Sequence, residues 1–180
     1  MLVRSPEKAP ALTGVKIVIG DARDEKALLQ AIKGRDAVIS ALGTPASPFR
    51  EVTLLSTATR ALIKAMKAEQ VSRLIAITGI GTGDSAGHGG FLFEKVIFPL
   101  ILRNVYADKN RQKAIIMGSG VDWTIIRPSI LTDKPGGKTI RALTDLSNFD
   151  GGSISRADVA TFILDQVNSD AWLHKSPLIT

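Results

Sequence analysis

The residues able to do chemistry by themselves are few and scattered. His88 and His174 are the only histidines. They stand far apart, and no local pattern supplies the partners that a metal site or a Ser-His-Asp relay would need. Asp84 beside Ser85 reads as loop chemistry. Two glycine strings invite a phosphate. Gly81-Thr82-Gly83-Asp84-Ser85-Ala86 follows a strand, but it opens a long loop instead of a helix, and no acidic residue ends a second strand downstream. Gly136-Gly137-Lys138-Thr139 mimics the end of a P-loop, yet Thr132 stands where the opening glycine is needed, and a hairpin around Pro135–Gly137 is the expectation. With no cysteine, disulfides and thiolate chemistry are excluded.

The elements that could position a site are clearer. Val15 to Gly43 reads as strand, acidic turn, amphipathic helix, strand and glycine turn. Val15–Ile19 is a continuous apolar run, which predicts a strand covered on both faces. Asp24 is a candidate N-cap for a helix over Glu25–Lys33, and Gly34 a candidate stop. Ala37–Leu42 is the next strand. A helix from Glu51 to Glu69 follows, then a strand at Arg73–Thr78 and a glycine-rich loop over Gly79–Gly90. Phe91–Met117 reads as helix bent at Pro99. Trp123–Ile126 is a strand stopped by Arg127-Pro128, and 129–153 is loop. Ser155 caps a helix over Arg156–Val167, and Pro177–Thr180 forms a short final strand. Strands alternating with long helices imply an α/β fold with a mostly parallel sheet.

Composition bounds the function. The 180 residues suit one domain, with 44% hydrophobic and 22% charged residues, as in ordinary globular chains. The net charge of +6 is dispersed and not in runs, which argues against nucleic acid. Phe91–Leu102 is too short and too interrupted to span a bilayer. A cytoplasmic protein without a membrane partner is expected, as monomer or as homodimer through that apolar stretch.

Several strings in order resemble one family: LVRSPEKAP (2–10), VIGDARD (18–24), DAVISALGT (36–44), LIKAMKAEQVSRLIAITGIG (62–81), SGVDWTIIRPSIL (119–131) and ISRADVATFIL (154–164). Their order and spacing resemble the atypical short-chain dehydrogenase/reductases, in particular NmrA-like proteins and the flavin reductase/biliverdin-IXβ reductase group. The resemblance implies a Rossmann-like, doubly wound domain over 1–180. It enters on the family's second strand, so that the first strand, glycine turn and first helix are expected to be missing.

It also implies roles. Arg4, with Lys8, would meet the 2′-phosphate of NADP and favour NADP over NAD. Asp21 and Ala22 would lie at the adenine. Ala41, Leu42 and Gly43 would line the cofactor. Thr78 and Gly79 stand at the carboxyl end of a strand, the edge where open α/β sheets bind ligands, and Thr78 would polarise a substrate carbonyl. The Arg127-Pro128-Ser129 turn would meet the nicotinamide carboxamide through its backbone, with Arg127 as an anchor. The superfamily's tyrosine and lysine stand four residues apart. Here Lys109 follows Tyr106 by three, so Tyr106 is expected to pack and Lys109 to project toward the pocket. The activity implied is hydride transfer from NADPH to a small planar acceptor such as a flavin, quinone or related carbonyl. The alternatives are a non-catalytic dinucleotide sensor or an inactive fragment, and no metal is implied.

Overall fold

A computed structural model of the chain describes residues 1–9, 13–82, 100–149 and 151–180. The elements are β1 (Leu2–Val3), a 3-10 turn (Pro6–Lys8), β2 (Val18–Ile19), α1 (Glu25–Ile32), β3 (Ala37–Ser40), α2 (Leu54–Ala68), β4 (Arg73–Ile77) and α3 (Arg103–Met117). After these come β5 (Asp122–Pro128), β6 (Ile130–Thr132), β7 (Ala142–Leu143), β8 (Ser153–Ser155), α4 (Arg156–Asp165) and β9 (Leu178–Ile179). Most of the Phe91–Leu102 run lies outside the described residues, as do Pro99, Asp84, Ser85 and His88.

The main sheet has the order β3-β4-β5-β9-β7, parallel except where β7 meets β9. Its centre explains why the strands read as unbroken apolar runs. Leu74 and Ala76 of β4, with Trp123 and Ile125 of β5, join a core with Leu28 and Ile32 of α1, Leu62 and Met66 of α2 and Ile116 of α3. Ile75 and Ile126 point the other way, into a second core with Val159, Phe162 and Ile163 of α4. Side chains alternate between faces, so a strand covered on both sides is apolar at every position.

Local signals hold at the helix ends. The Asp24 side chain accepts from the Lys26 N–H at the start of α1, and Ser155 accepts from the Asp158 N–H at the start of α4. Gly34 follows α1 with φ +69°, a left-handed conformation that costs glycine little. α2 is capped differently. Its Thr53 side chain makes no cap bond, and the buried Asp108 of α3 accepts instead from the Leu55 N–H at 2.7 Å and the Ser56 N–H at 3.4 Å.

Four expectations are corrected. Val15–Ile17 is not strand, and Ile17 and Ile19 are 40% and 62% exposed, because β2 is the outer member of a separate two-stranded pair with β1. β5 runs on through Arg127 and Pro128. The proline forfeits only its own donor, and its carbonyl still accepts from the Ile80 N–H at 3.0 Å. The stretch 129–153 contains two strands, and no hairpin closes at Pro135–Gly137. β6 instead pairs in parallel with β8, while Asp158 holds this loop by accepting from the Gly137 N–H at 2.6 Å. The helix expected from Glu51 starts at Leu54.

The main sheet also stops short of β1. β1 and β2 form a pair of their own, and between β1 and β3 lies a groove of about 560 Å³.

Asp108→Ala should destabilise the fold by about 1–3 kcal/mol, because it leaves buried amides of α2 without an acceptor. Urea unfolding checks this, and an unchanged midpoint would show that the cross-helix cap contributes nothing.

Candidate functional site

Register brings the strand ends together. Ser40 pairs with Ala76, and Ile77 with Ile126, so the residues that leave β3, β4 and β5 do so side by side at one carboxyl edge. At that edge stand Thr78 and Gly79 from β4 and Ser129 after β5. α3 comes down on the same place and presents Tyr106 and Lys109, which its three-residue spacing puts on one face.

The Lys109 ammonium donates to the Thr78 carbonyl at 3.1 Å and lies 4.7 Å from the centre of the Tyr106 ring. The Tyr106 hydroxyl donates to the Ile80 carbonyl at 2.7 Å. Gly79 lets these groups close in, since a Cβ there would stand 3.2 Å from Lys109 Nζ and 3.8 Å from Tyr106 Oη. Burial pushes the Lys109 ammonium below its ordinary pKa of 10.5.

Among the described residues, two hydroxyls at this edge find no partner. Thr78 Oγ1 and Ser129 Oγ are buried and have no hydrogen-bond partner among the described residues. The Thr78 N–H is used in the sheet, donating to the Ile126 carbonyl at 2.9 Å, so the free hydroxyl is its remaining polar group.

The Arg127-Pro128-Ser129 backbone differs from expectation. The Arg127 N–H donates to the Pro177 carbonyl and the Ser129 N–H to the Ile179 carbonyl, both at 2.9 Å. The turn's amides are therefore committed to β9, because this segment is strand and not a free turn. Arg127 is 1% exposed, an interior anchor.

A second group lies toward β1 and β2. Asp21 is gripped by Arg23, whose Nε and Nη2 donate to it at 2.9 and 2.7 Å and whose N–H donates at 2.8 Å. These bonds, with a smaller contribution from Arg4, hold the carboxyl well below the usual range. Its exposed rim thus carries Arg4 at the end of β1 and Arg23 around one satisfied acid, leaving Asp21 less available to an amine than the sequence suggested. Ala22, Ala41 and Leu42 line the groove between β1 and β3. Gly43 is exposed, and a Cβ there would meet nothing within 4 Å. The side chain of Lys8 lies outside the described residues. No cluster of three metal-ligating side chains occurs among the described residues, and none of their helices is long and apolar enough to cross a membrane.

A family model described as NAD(P)H-binding matches residues 1–170 of this chain. The chain belongs to that NAD(P)H-binding family. A Bacillus subtilis relative named as an uncharacterised sugar epimerase, YhfK, is 30% identical over 94% of this chain and 77% of its own length. A Rossmann-fold NAD(P)-binding family protein from Shigella flexneri has 27% identity and a TM-score of 0.72, covering 99% of this chain and 78% of that one. ChuY, an anaerobilin reductase from Escherichia coli O157:H7, superposes with a TM-score of 0.80 at 24% identity, covering 99% and 82% of the two chains. These likenesses agree with an atypical short-chain dehydrogenase/reductase-like member having a Rossmann-like α/β fold.

For an NAD(P)H-binding protein the edge is chemically apt. It offers unpaired neutral hydroxyls, a desolvated cation and a close-packed glycine at the place where parallel sheets receive ligands. Thr78, Gly79, Lys109 and Ser129, to which the resemblance gives roles, stand together at this edge, and Tyr106 packs here as expected, 6% exposed with its hydroxyl donating to the Ile80 carbonyl.

The lowered pKa of Lys109 has a testable sign. The folded state holds this proton less tightly than the unfolded chain, so unfolding takes up a proton between the folded pKa and 10.5. Stability attributable to Lys109 should rise with pH through that window and be flat below it. Comparing unfolding free energies of the wild type and Lys109→Met across alkaline pH isolates this contribution. A difference that does not vary with pH would mean that the ammonium is solvated.

Proposed function

We propose that this NAD(P)H-binding protein is an NADPH-dependent reductase whose acceptor is a small planar carbonyl, flavin or quinone bound against Thr78 and Lys109. The observation that carries this is the buried Thr78 hydroxyl, which has no partner among the described residues, set beside the desolvated Lys109 ammonium at the carboxyl edge of β4. The residues fit the cofactor at two points. Ser129 and Thr78 present unsatisfied hydroxyls where a carboxamide or carbonyl would be received. Arg4, exposed at the end of β1, is free to meet a 2′-phosphate, and its pairing chemistry underlies the preference for NADP.

The bound dinucleotide would supply a hydride to the acceptor. The chain's own part is to hold the acceptor and manage the other charge. The Thr78 hydroxyl donates a hydrogen bond to the acceptor oxygen, and the Lys109 ammonium stabilises the negative charge that grows there and delivers the balancing proton. A desolvated lysine is suited to both tasks, because a low-dielectric surrounding strengthens its field and loosens its proton. Tyr106 positions Lys109 from the same helix face, with its own hydroxyl engaged by Ile80.

That engagement favours a second reading, a dinucleotide sensor that binds without turnover. Loss of NADPH absorbance with a panel of flavin, quinone and bilin acceptors separates the two. Under the reductase reading, Lys109→Met lowers kcat on the order of a hundredfold with NADPH binding retained. Tight NADPH binding with no consumption under any acceptor supports the sensor.

Arg4→Ala should weaken NADPH binding about tenfold in a fluorescence titration and leave NADH unchanged. Equal weakening of both dinucleotides would remove Arg4 from the phosphate site.

A further inference from the structure

Backbone pairing sets two arginines around one acid. Val3 of β1 pairs with Ile19 of β2, and the next amide, the Gly20 N–H, donates to the Val3 carbonyl at 2.9 Å. Arg4 therefore leaves β1 beside Gly20, one residue ahead of Asp21, across a strand spacing of about 4.8 Å. Arg4 is near enough to help hold the Asp21 carboxyl low, yet it makes no hydrogen bond or ion pair among the described residues.

Arg23 grips that acid side-on. Its Nε and backbone N–H donate to Asp21 Oδ1 and its Nη2 to Oδ2. A guanidinium is planar and carries five N–H donors, so a grip through Nε and Nη2 leaves the edge with Nη1 facing away from the acid. That edge has no partner among the described residues, and 55% of the Arg23 side chain is exposed. Other acids stand close by. Asp24 accepts from the Lys26 N–H, Glu25 pairs with Lys64 at 2.8 Å, and Glu7 follows Arg4 in the 3-10 turn. Glu7 and Asp24 offset the positive charge of this rim, so the uncommitted donors of Arg4 and Arg23, and not the net charge, select a ligand.

We infer that Arg23 is a second specificity-determining residue for the 2′-phosphate: it covers the charge of Asp21 and turns its open edge to the phosphate that Arg4 meets from β1. A bare acid at such a rim accepts from a ribose 2′-hydroxyl and repels a phosphate, which favours NAD. With Arg23 on it, Asp21 neither offers itself to the ribose diol nor opposes the added charge. The planar fork suits this double task, because it holds a carboxylate on one edge while presenting donors on the other. A lysine ammonium at the same position has no second edge. The inference rests on the NADPH reading at Arg4 and makes no use of hydride transfer at Thr78 and Lys109.

The test titrates the 180-residue chain with NADPH and NADH by fluorescence, and with 2′,5′-ADP and ADP by calorimetry. Arg23→Ala should weaken NADPH and 2′,5′-ADP about tenfold and change NADH and ADP less than about twofold. In the double variant Arg23→Ala/Asp21→Asn the uncovered carboxylate is gone as well, so about threefold of that loss should return. Arg23 is exposed, so the circular dichroism spectrum and urea midpoint of both variants should match the wild type. A wild type that prefers 2′,5′-ADP and an Arg23→Ala variant that keeps the preference would overturn this inference alone. Equal weakening of all four ligands, or a double variant as poor as Arg23→Ala, would do the same. A wild type that binds 2′,5′-ADP no better than ADP would remove the phosphate reading of Arg4 together with it.

Discussion

Parallel pairing along β4 is the constraint on which the rest of the molecule depends. Leu74, Ile75 and Ala76 have no solvent exposure, and β4 is bonded on one side to β3 and on the other to β5. Parallel neighbours require a crossover, and α2 and α3 provide the two on either side of this strand. Because register aligns the carboxyl ends, it also aligns the loops that carry Leu42, Thr78 and Ser129. Asp108 completes the constraint. It ties α3 to the first amides of α2, and it lies between Tyr106 and Lys109 in sequence. Seating α3 by that buried carboxylate thus fixes the phase in which the other two side chains meet β4.

The site owes its character to what the sheet leaves unsatisfied. A buried hydroxyl without a partner costs about 1–3 kcal/mol. Thr78 and Ser129 each carry one among the described residues at the same edge, while the Thr78, Arg127 and Ser129 amides donate to the Ile126, Pro177 and Ile179 carbonyls. Among the described residues the Lys109 ammonium is held by the Thr78 carbonyl and the Tyr106 ring, an arrangement that keeps a cation near the edge. The rim at Arg4, Asp21 and Arg23 is organised in the opposite way. There the acid is saturated and the net charge is positive, as suits a phosphate-bearing ligand.

The interruption between β1 and β3 shows how separable the parts of such a sheet are. β1 and β2 stay attached because Leu2 packs on the same apolar cluster as Leu28, Ile32 and Leu62, not because their backbones bond to the main sheet. Hydrophobic contact is non-directional and survives the gap. Hydrogen-bonded pairing is directional and does not, so the two facing edges keep their unused donors and acceptors.

Much was legible from neighbouring residues alone. The caps at Asp24 and Ser155, the glycine stop at Gly34, and the apolar runs of β4 and β5 follow from contacts within a few positions and from burial on both strand faces, and all stand in the structure. The family resemblance likewise placed Thr78, Gly79, Lys109 and Ser129 at one edge. Other features depended on partners distant in the chain. Apolar Ile17 and Ile19 promised a covered strand but lie on an outer pair. Pro128 looked like a terminator, yet it sits in β5 because Ile80 and β9 still find bonding partners around it. β6 pairs with β8, and β9 inserts between β5 and β7, through backbone groups that every residue possesses and no local pattern marks. Whether the Thr78 hydroxyl was bonded, and whether Tyr106 joined Lys109 at the site, turned on how α3 seats against β4. Side-chain types and periodicity encode short-range preference and burial. Which edges meet, and which polar atoms remain free, is settled only when distant segments compete for the same hydrogen bonds.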